Sequence, residues 1–349
     1  MKAPRQIIAY RPEALAPHQG LLVDFMKQQL PSATRIIERT IPTGRLARLL
    51  FAVRVALDAL LFRRAVLYFA SFVSVVYATI PLWLGHRRYI YHSQDWIADL
   101  ESLPARLEKR VVKRAPVVIW NEAARAARAK ELAGRSDEIL VLPTYLPAAH
   151  EVPKRCEDIR NQIAELAGAS VEDMVIVFAG GGYSVGRLSA QFVEAAVELD
   201  RNIVAVFTGA TKLPPDCAAP NMIDMGLLPF DRMLAVMASC DIGLLLYDYA
   251  DSFGHTNQQP GRLTEYLKGG LALIATPFGD ARRLASDTAF CTVVEGYDVT
   301  ELRQVLKHIS EQIRSGGISR NEIRNYVASH MAYEPFAIRT LQAAFEELV

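Results

Sequence analysis

Pro260-Gly261-Arg262-Leu263-Thr264-Glu265-Tyr266-Leu267-Lys268-Gly269-Gly270-Leu271-Ala272-Leu273-Ile274-Ala275 joins a short helical segment to a glycine pair and then to an apolar run. Leu271–Ala275 has the length and composition of a strand buried on both faces, as in a parallel sheet. A helix feeding such a strand puts Glu265 near the carboxyl edge of that sheet, where open α/β folds bind ligands. The plainer reading of Glu265 is a carboxylate early in a helix, favoured by the helix dipole.

The same rhythm extends in both directions. Strands are expected at Met174–Ala179, Ile203–Thr208 and Ile242–Leu246, and another near Cys291–Val294, with helical patterns over Arg187–Leu199, Met233–Ala238 and Leu302–Ser310. The first half repeats it, with strands at Gln6–Tyr10, Thr34–Ile37, Ala65–Phe69, Tyr89–His92, Val117–Trp120 and Ile139–Leu142. Leu46–Phe62 and Arg106–Arg114 are helical between them. Strands alternating with helices indicate βαβ units and mostly parallel sheets. The proline-bearing stretch Pro143–Pro153 reads as a connector between two domains, 1–145 and 154–325. A final helical tract within 326–349 is expected to return towards the first domain.

At 349 residues, 51% of them apolar, the chain has enough material for two cores. The formal charge of +1 conceals an asymmetry. Residues 1–150 carry 22 Lys/Arg against 12 Asp/Glu, and residues 151–349 carry 17 against 26. A basic first half suits an anionic partner, either a membrane surface or a phosphorylated acceptor, or is simply a solvated surface. No recognition motif accompanies the dispersed basic residues, so nucleic acid is not an expected partner. The four cysteines, Cys156, Cys217, Cys240 and Cys291, show neither disulfide-scaffold nor metal spacing. The uncharged stretch Ala65–Gly85 is long enough to span a bilayer but divides into a strand and a helix, Val73–Leu84, ending near Pro81. Leu46–Phe62, with Arg48, Arg54 and Asp58 among apolar residues, could lie in a membrane surface or pack on the sheet. Without a signal-peptide core, the expectation is a cytoplasmic protein, with peripheral attachment to the inner face of the cytoplasmic membrane open.

Three loops carry candidate chemistry. Phe178-Ala179-Gly180-Gly181-Gly182-Tyr183-Ser184-Val185-Gly186-Arg187 follows a strand and opens a helical pattern. Glycines there admit an anion to the backbone, free amides can bind phosphate, and Arg187 adds a forked donor. No Gly-Lys-Ser/Thr follows, so it is not a P-loop. Met225–Met233, with Leu227 and Leu228, leads through Ser239-Cys240-Asp241 into a strand, where Asp241 reads as a buttress. Tyr247-Asp248-Tyr249-Ala250-Asp251-Ser252-Phe253-Gly254 begins the loop after that strand. In the first half, Tyr89–Trp96 and Asn121-Glu122 stand at strand ends, and His18-Gln19-Gly20 is a weaker candidate loop.

Together these segments resemble the nucleotide-sugar-binding region of retaining GT-B glycosyltransferases of the family 4-like (group 1) type. The likeness covers roughly residues 170–310 and, in the first half, the topology and two short blocks. It implies a GT-B architecture: two Rossmann-like parallel-sheet domains facing an interdomain cleft. It also implies that Glu265 accepts hydrogen bonds from ribose hydroxyls and that main-chain groups at Leu227 and Leu228 frame the base. Gly181, Gly182, Tyr183, Arg187, Arg262 and Leu263 would hold the rest of the donor, with Lys212 as a second cation in the clamp on the departing diphosphate. Asp251 would stand in the donor-sugar loop, while His92 or Asp95 would position an acceptor hydroxyl and Trp96 would offer a face for sugar stacking; the plainer reading of His92 is a satisfied structural histidine. Asp251 and Glu265 lie fourteen positions apart, wider than the family's usual glutamate pair, so either the loop is expanded or the first glutamate is absent.

The activity implied is transfer of a hexose from a UDP- or GDP-sugar to a glycan or lipid-linked glycan, with retention, as in polysaccharide biosynthesis. It needs no prosthetic group and no obligatory metal. A sugar-nucleotide epimerase of the same architecture and a partner-dependent, catalytically weak subunit are the alternatives.

Overall fold

The computed structural model describes residues 4–12, 21–93, 102–148, 150–217, 219–248, 261–294 and 297–348. Contacts divide the chain into two compact units, Met1–Pro147 with Tyr333–Val349, and Ala148–Ala332.

In the first unit the strands are β1 (Gln6–Pro12), β2 (Arg35–Ile41), β3 (Val66–Ala70), β4 (Tyr89–Ser93), β5 (Val117–Trp120) and β6 (Leu140–Val141). They form a parallel sheet in the order β2-β1-β3-β4-β5-β6. β3, β4 and β5 are buried along their whole length, and β3 and β5 accordingly read as unbroken apolar runs. The helix Arg45–Leu61 rests on the sheet through Val55 and Ala59, and its one acid, Asp58, is buried there. Tyr10 O–H donates to Asp58 Oδ2 at 2.9 Å, and Arg39 and Arg54 also pair with it. Ala65–Gly85 divides into β3 and the helix Val75–Trp83, which carries Pro81 within it. No helix among the described residues is long and apolar enough to cross a membrane. The helix Tyr333–Glu346 belongs to this unit, where Thr340 Oγ1 donates to the Val141 carbonyl.

The second unit contains β7 (Val175–Gly180), β8 (Ile203–Thr208), β9 (Met222–Asp224), β10 (Ile242–Leu245), β11 (Ala272–Ala275) and β12 (Cys291–Val293). Their order, β12-β11-β10-β7-β8-β9, is all parallel and is that of the Rossmann sheet. Strand order reverses between β7 and β10, so the crevice at their carboxyl ends is where such a sheet takes ligands. Asp241 holds this junction: its Oδ2 accepts from Arg160 Nη1 at 2.8 Å and from the Ile176 amide at 2.9 Å.

Two local expectations differ from the structure. β9 is absent from the sequence reading because three residues show no usable period. The helix expected over 187–199 is Ser189–Val197, preceded by a 3-10 turn, Val185–Arg187. Leu188 breaks the run at φ 49°, with its side chain buried. Ser189 Oγ accepts from the Ser184 amide at 3.0 Å and fixes that corner.

Candidate functional site

β7 ends at Gly180 and β8 at Thr208, and a cavity of about 320 Å³ opens at these carboxyl ends. The Leu227–Phe230 turn walls one side, and the helix Gly261–Gly269 brings Arg262, Glu265 and Tyr266 to it. Apolar surface from Phe178, Leu228, Phe230 and Met233 thus faces one carboxylate and one guanidinium. Flat apolar walls with a few convergent polar groups suit a small organic ligand bearing charge at one end.

Glu265 lies in the second turn of its helix, beyond the first-turn positions where dipole stabilisation acts. Burial raises its carboxyl above the ordinary carboxylate range, opposed by the nearby charge of Arg262. No donor to its carboxylate is found among the described residues, and such a half-buried carboxylate has lone pairs to offer a ligand's hydroxyls.

Arg187 Nη1 and Arg262 Nη1 both donate to the Gly180 carbonyl oxygen, at 2.8 and 2.6 Å. Gly181, at φ 100°, leaves room for them: a Cβ there would collide with Arg187 Nη1 and stand 2.7 Å from Arg262 Nη1. Arg187 also lies over the Tyr247 ring, 5.8 Å from its centroid, at the start of the loop leaving β10. The Asp248 amide donates to the Gly186 carbonyl and ties that loop to the turn bearing Arg187.

The amides of the glycine loop do something other than expected. Gly181 and Gly182 amides each donate to the Thr208 carbonyl at 2.7 Å, Tyr183's to the Thr211 carbonyl at 3.1 Å, and Ser184's to Ser189 Oγ. The first three hold the loop against residues 208–211 and the fourth fixes the turn that follows, so none of these amides is open to an anion. Gly182 is needed for that contact, since a Cβ would lie 2.6 Å from the Thr211 carbonyl oxygen. Tyr183 turns towards Cys217, and burial, then that thiol, raises its phenol. Lys212 is exposed on the loop after β8 and does not line the cavity. The Leu263 side chain is fully buried in the core, leaving only its backbone for any ligand. Asp251 lies outside the described residues.

Tyr266 was missed by sequence reasoning. Its ring fills the space beside Gly243 of β10, where a Cβ would collide with the ring, and it packs edge-on against Phe178 at 5.8 Å. The available signal was Gly243 itself, a glycine inside a buried strand, which marks close approach by a neighbour.

In the first unit His92 is the last but one residue of β4 and is 2% exposed. Its Nδ1 lies 2.6 Å from Tyr68 Oη, and Nε2 is buried without a hydrogen-bond partner among the described residues. Burial pushes its pKa down to about 3, so the ring is neutral at pH 7. Which of Tyr68 Oη and Nδ1 donates in this hydrogen bond depends on the imidazole tautomer. Asp95 and Trp96, the other expected groups of this strand end, lie outside the described residues, as does His18. Glu122 Oε2 accepts from the Arg125 amide at 2.8 Å, a capping role for the helix that follows. Among the described residues no group of three or more His, Cys, Asp or Glu side chains could hold a metal ion.

No family model matches the chain, and no curated protein matches it either. Solved structures do. Anabaena Alr3699/HepE, determined in complex with UDP and glucose, is 15% identical with a TM-score of 0.70, over 98% of this chain and 100% of that one. Sucrose-phosphate synthase from Thermosynechococcus elongatus is 11% identical with a TM-score of 0.69, over 98% of each chain. A glycosyltransferase from Rickettsia africae is 13% identical with a TM-score of 0.68, over 99% of this chain and 98% of that one. The fold is therefore that of the GT-B enzymes, two Rossmann-type units in one chain.

Proposed function

We propose that the chain is a glycosyltransferase that transfers a hexose, with retention, from a UDP- or GDP-sugar to a glycan or lipid-linked glycan. The observation that carries this reading is the cavity in the Rossmann-ordered unit, where Glu265 and Arg262 face apolar walls at the carboxyl ends of β7 and β8. The base lies against Leu227, Leu228 and Phe230, and the ribose hydroxyls donate to Glu265. The diphosphate meets Arg262 and Arg187, so Arg262 takes the place of the second cation expected of Lys212. A nucleoside diphosphate has these three parts in this order: a flat base, a diol and a dianionic tail.

In the reaction the bond from the anomeric carbon to the diphosphate oxygen breaks, and its electron pair leaves with the phosphate. The acceptor oxygen forms the new bond on the same face and its proton passes to the departing phosphate. Charge grows on the leaving group, so two guanidiniums aimed at it lower the barrier more than a strong base would. The HepE complex with UDP and glucose supports a nucleotide-sugar donor on this fold.

The test is release of nucleoside diphosphate from UDP- and GDP-hexoses with and without an acceptor glycan. Acceptor-dependent release that disappears in Arg262→Ala supports the proposal. Acceptor-independent conversion of the donor sugar would instead indicate an epimerase.

A further inference from the structure

The helix Arg45–Leu61 is apolar on two opposite faces, and the sheet covers one of them. At about 100° per residue, Leu46, Leu49, Leu50, Val53, Leu57 and Leu60 fall within an arc of roughly 120°, opposite Val55 and Ala59. Val55 and Ala59 are buried on the first unit's core, whereas Leu46 is 72% exposed, Leu50 63% and Leu57 46%. The helix therefore packs on the sheet with one face and presents a second apolar stripe outward. A stripe of this length along one helix is larger than the scattered exposed leucines of ordinary surfaces.

Neighbouring segments extend it. Phe51 packs edge-on against Tyr77 of the helix Val75–Trp83, with ring centroids 5.1 Å apart. His86 Nδ1 lies 3.1 Å from the Ala59 carbonyl oxygen, which brings the segment after that helix to the end of the first one. Trp83 is 75% exposed and Leu84 is exposed as well.

The segment that carries this surface is charged almost entirely with one sign. Between residues 40 and 93 the chain has seven arginines, at 45, 48, 54, 63, 64, 87 and 88, and one acid, Asp58. Asp58 is 1% exposed and occupied by Tyr10, Arg39 and Arg54, so the outward surface carries no carboxylate among these residues. Arg45, Arg48, Arg54, Arg63, Arg64 and Arg87 are exposed.

We propose that this face docks on an anionic lipid bilayer, with Arg45–Leu61 lying in the plane of the interface. Leucines would enter the acyl boundary, Trp83 would sit at headgroup depth, and the arginines would meet lipid phosphates with their stems along the apolar surface. A bilayer accepts an apolar stripe and a ring of cations together. A second copy of the chain would bring arginines against arginines around the same leucines, which disfavours self-association. The proposal concerns the first unit and does not depend on the donor chemistry of the second.

The test is flotation of the full-length protein with neutral phosphatidylcholine vesicles and with vesicles containing phosphatidylglycerol. Wild type is expected to bind the anionic vesicles at least ~10-fold more tightly, with binding weakened by salt. Leu50→Gln/Leu57→Gln should reduce binding by ~10-fold or more, and Arg63→Gln/Arg64→Gln should reduce the preference for anionic lipid. All four side chains are exposed, so an unchanged thermal midpoint confirms that the variants are folded, and Leu46→Gln is the milder substitute if one is not. Failure of wild type to float with anionic vesicles would overturn the proposal, as would equal binding by wild type and both variants. Dimerisation in sedimentation that Leu50→Gln/Leu57→Gln abolishes, without vesicle binding, would assign the face to a second copy instead.

Discussion

Arg187 and Arg262, 75 positions apart in sequence, both donate to the carbonyl oxygen of Gly180. Two guanidiniums converging on one neutral oxygen repel each other, and a shared anion relieves that repulsion. Gly181 makes the convergence sterically possible.

Removing either guanidinium should weaken nucleoside diphosphate binding and leave nucleoside binding nearly unchanged. One lost charge-assisted hydrogen bond, about 1.5–3 kcal/mol, corresponds to roughly 10- to 150-fold in affinity. Arg187→Ala and Arg262→Ala, titrated with a nucleoside and its diphosphate, provide the comparison. Equal losses for both ligands would show that the arginines hold the loop and not the phosphates.

Glu265 should cost the ligand-free protein stability. Burial raises its folded pKa above the unfolded value, so the folded state binds more protons between the two and stability falls as pH rises through that window. Above both pKa values the cost is fully present. Glu265→Gln should therefore raise the thermal midpoint at pH 7 while reducing the preference for ribonucleotides over their deoxy counterparts. A lower midpoint in the variant would mean that the carboxylate has a structural partner.

Gly181→Ala places a Cβ at φ 100° and against both arginines. Strain on the order of 1–3 kcal/mol should appear as a lower unfolding midpoint. Diphosphate affinity should fall more than nucleoside affinity, because the guanidiniums are displaced. Calorimetry of the folded variant with both ligands separates the two effects.

Acid should destabilise the first unit through His92. Its folded pKa of about 3 lies below the ordinary value near 6.5, so the unfolded chain takes up the proton first as pH falls. Between those values stability should drop by up to about 1.4 kcal/mol per pH unit from this residue. All three tryptophans lie in residues 1–147, so fluorescence reports this unit's unfolding. His92→Gln should flatten the curve below pH 6.5; an unchanged slope would assign the acid sensitivity elsewhere.

Much of the fold was legible because buried parallel strands are short apolar runs, and Val117–Trp120 and Ile203–Thr208 occur with the bounds their sequence suggests. β9 was not legible, since Met222–Asp224 gains its strand character from pairing with β8 and not from any pattern of its own. Glu265 and Arg262 could be picked out as residues on a helix feeding a buried strand. Their placement with Phe178 and Thr208 depends on β10 lying beside β7, a long-range pairing that periodicity does not encode. The glycine loop shows the opposite limit. Its composition suggests open amides, but the carbonyls of Thr208 and Thr211, almost thirty residues downstream, already occupy those at Gly181, Gly182 and Tyr183. Leu188 adopts a left-handed conformation that an apolar helical pattern conceals.

The most direct measurement is calorimetric titration of the wild type and Glu265→Ala with UDP, GDP, ADP and CMP. The account predicts selective binding of one nucleoside diphosphate by the wild type, lost in the folded variant. Failure of the folded wild type to bind any of them, or equal binding by both proteins, would contradict it.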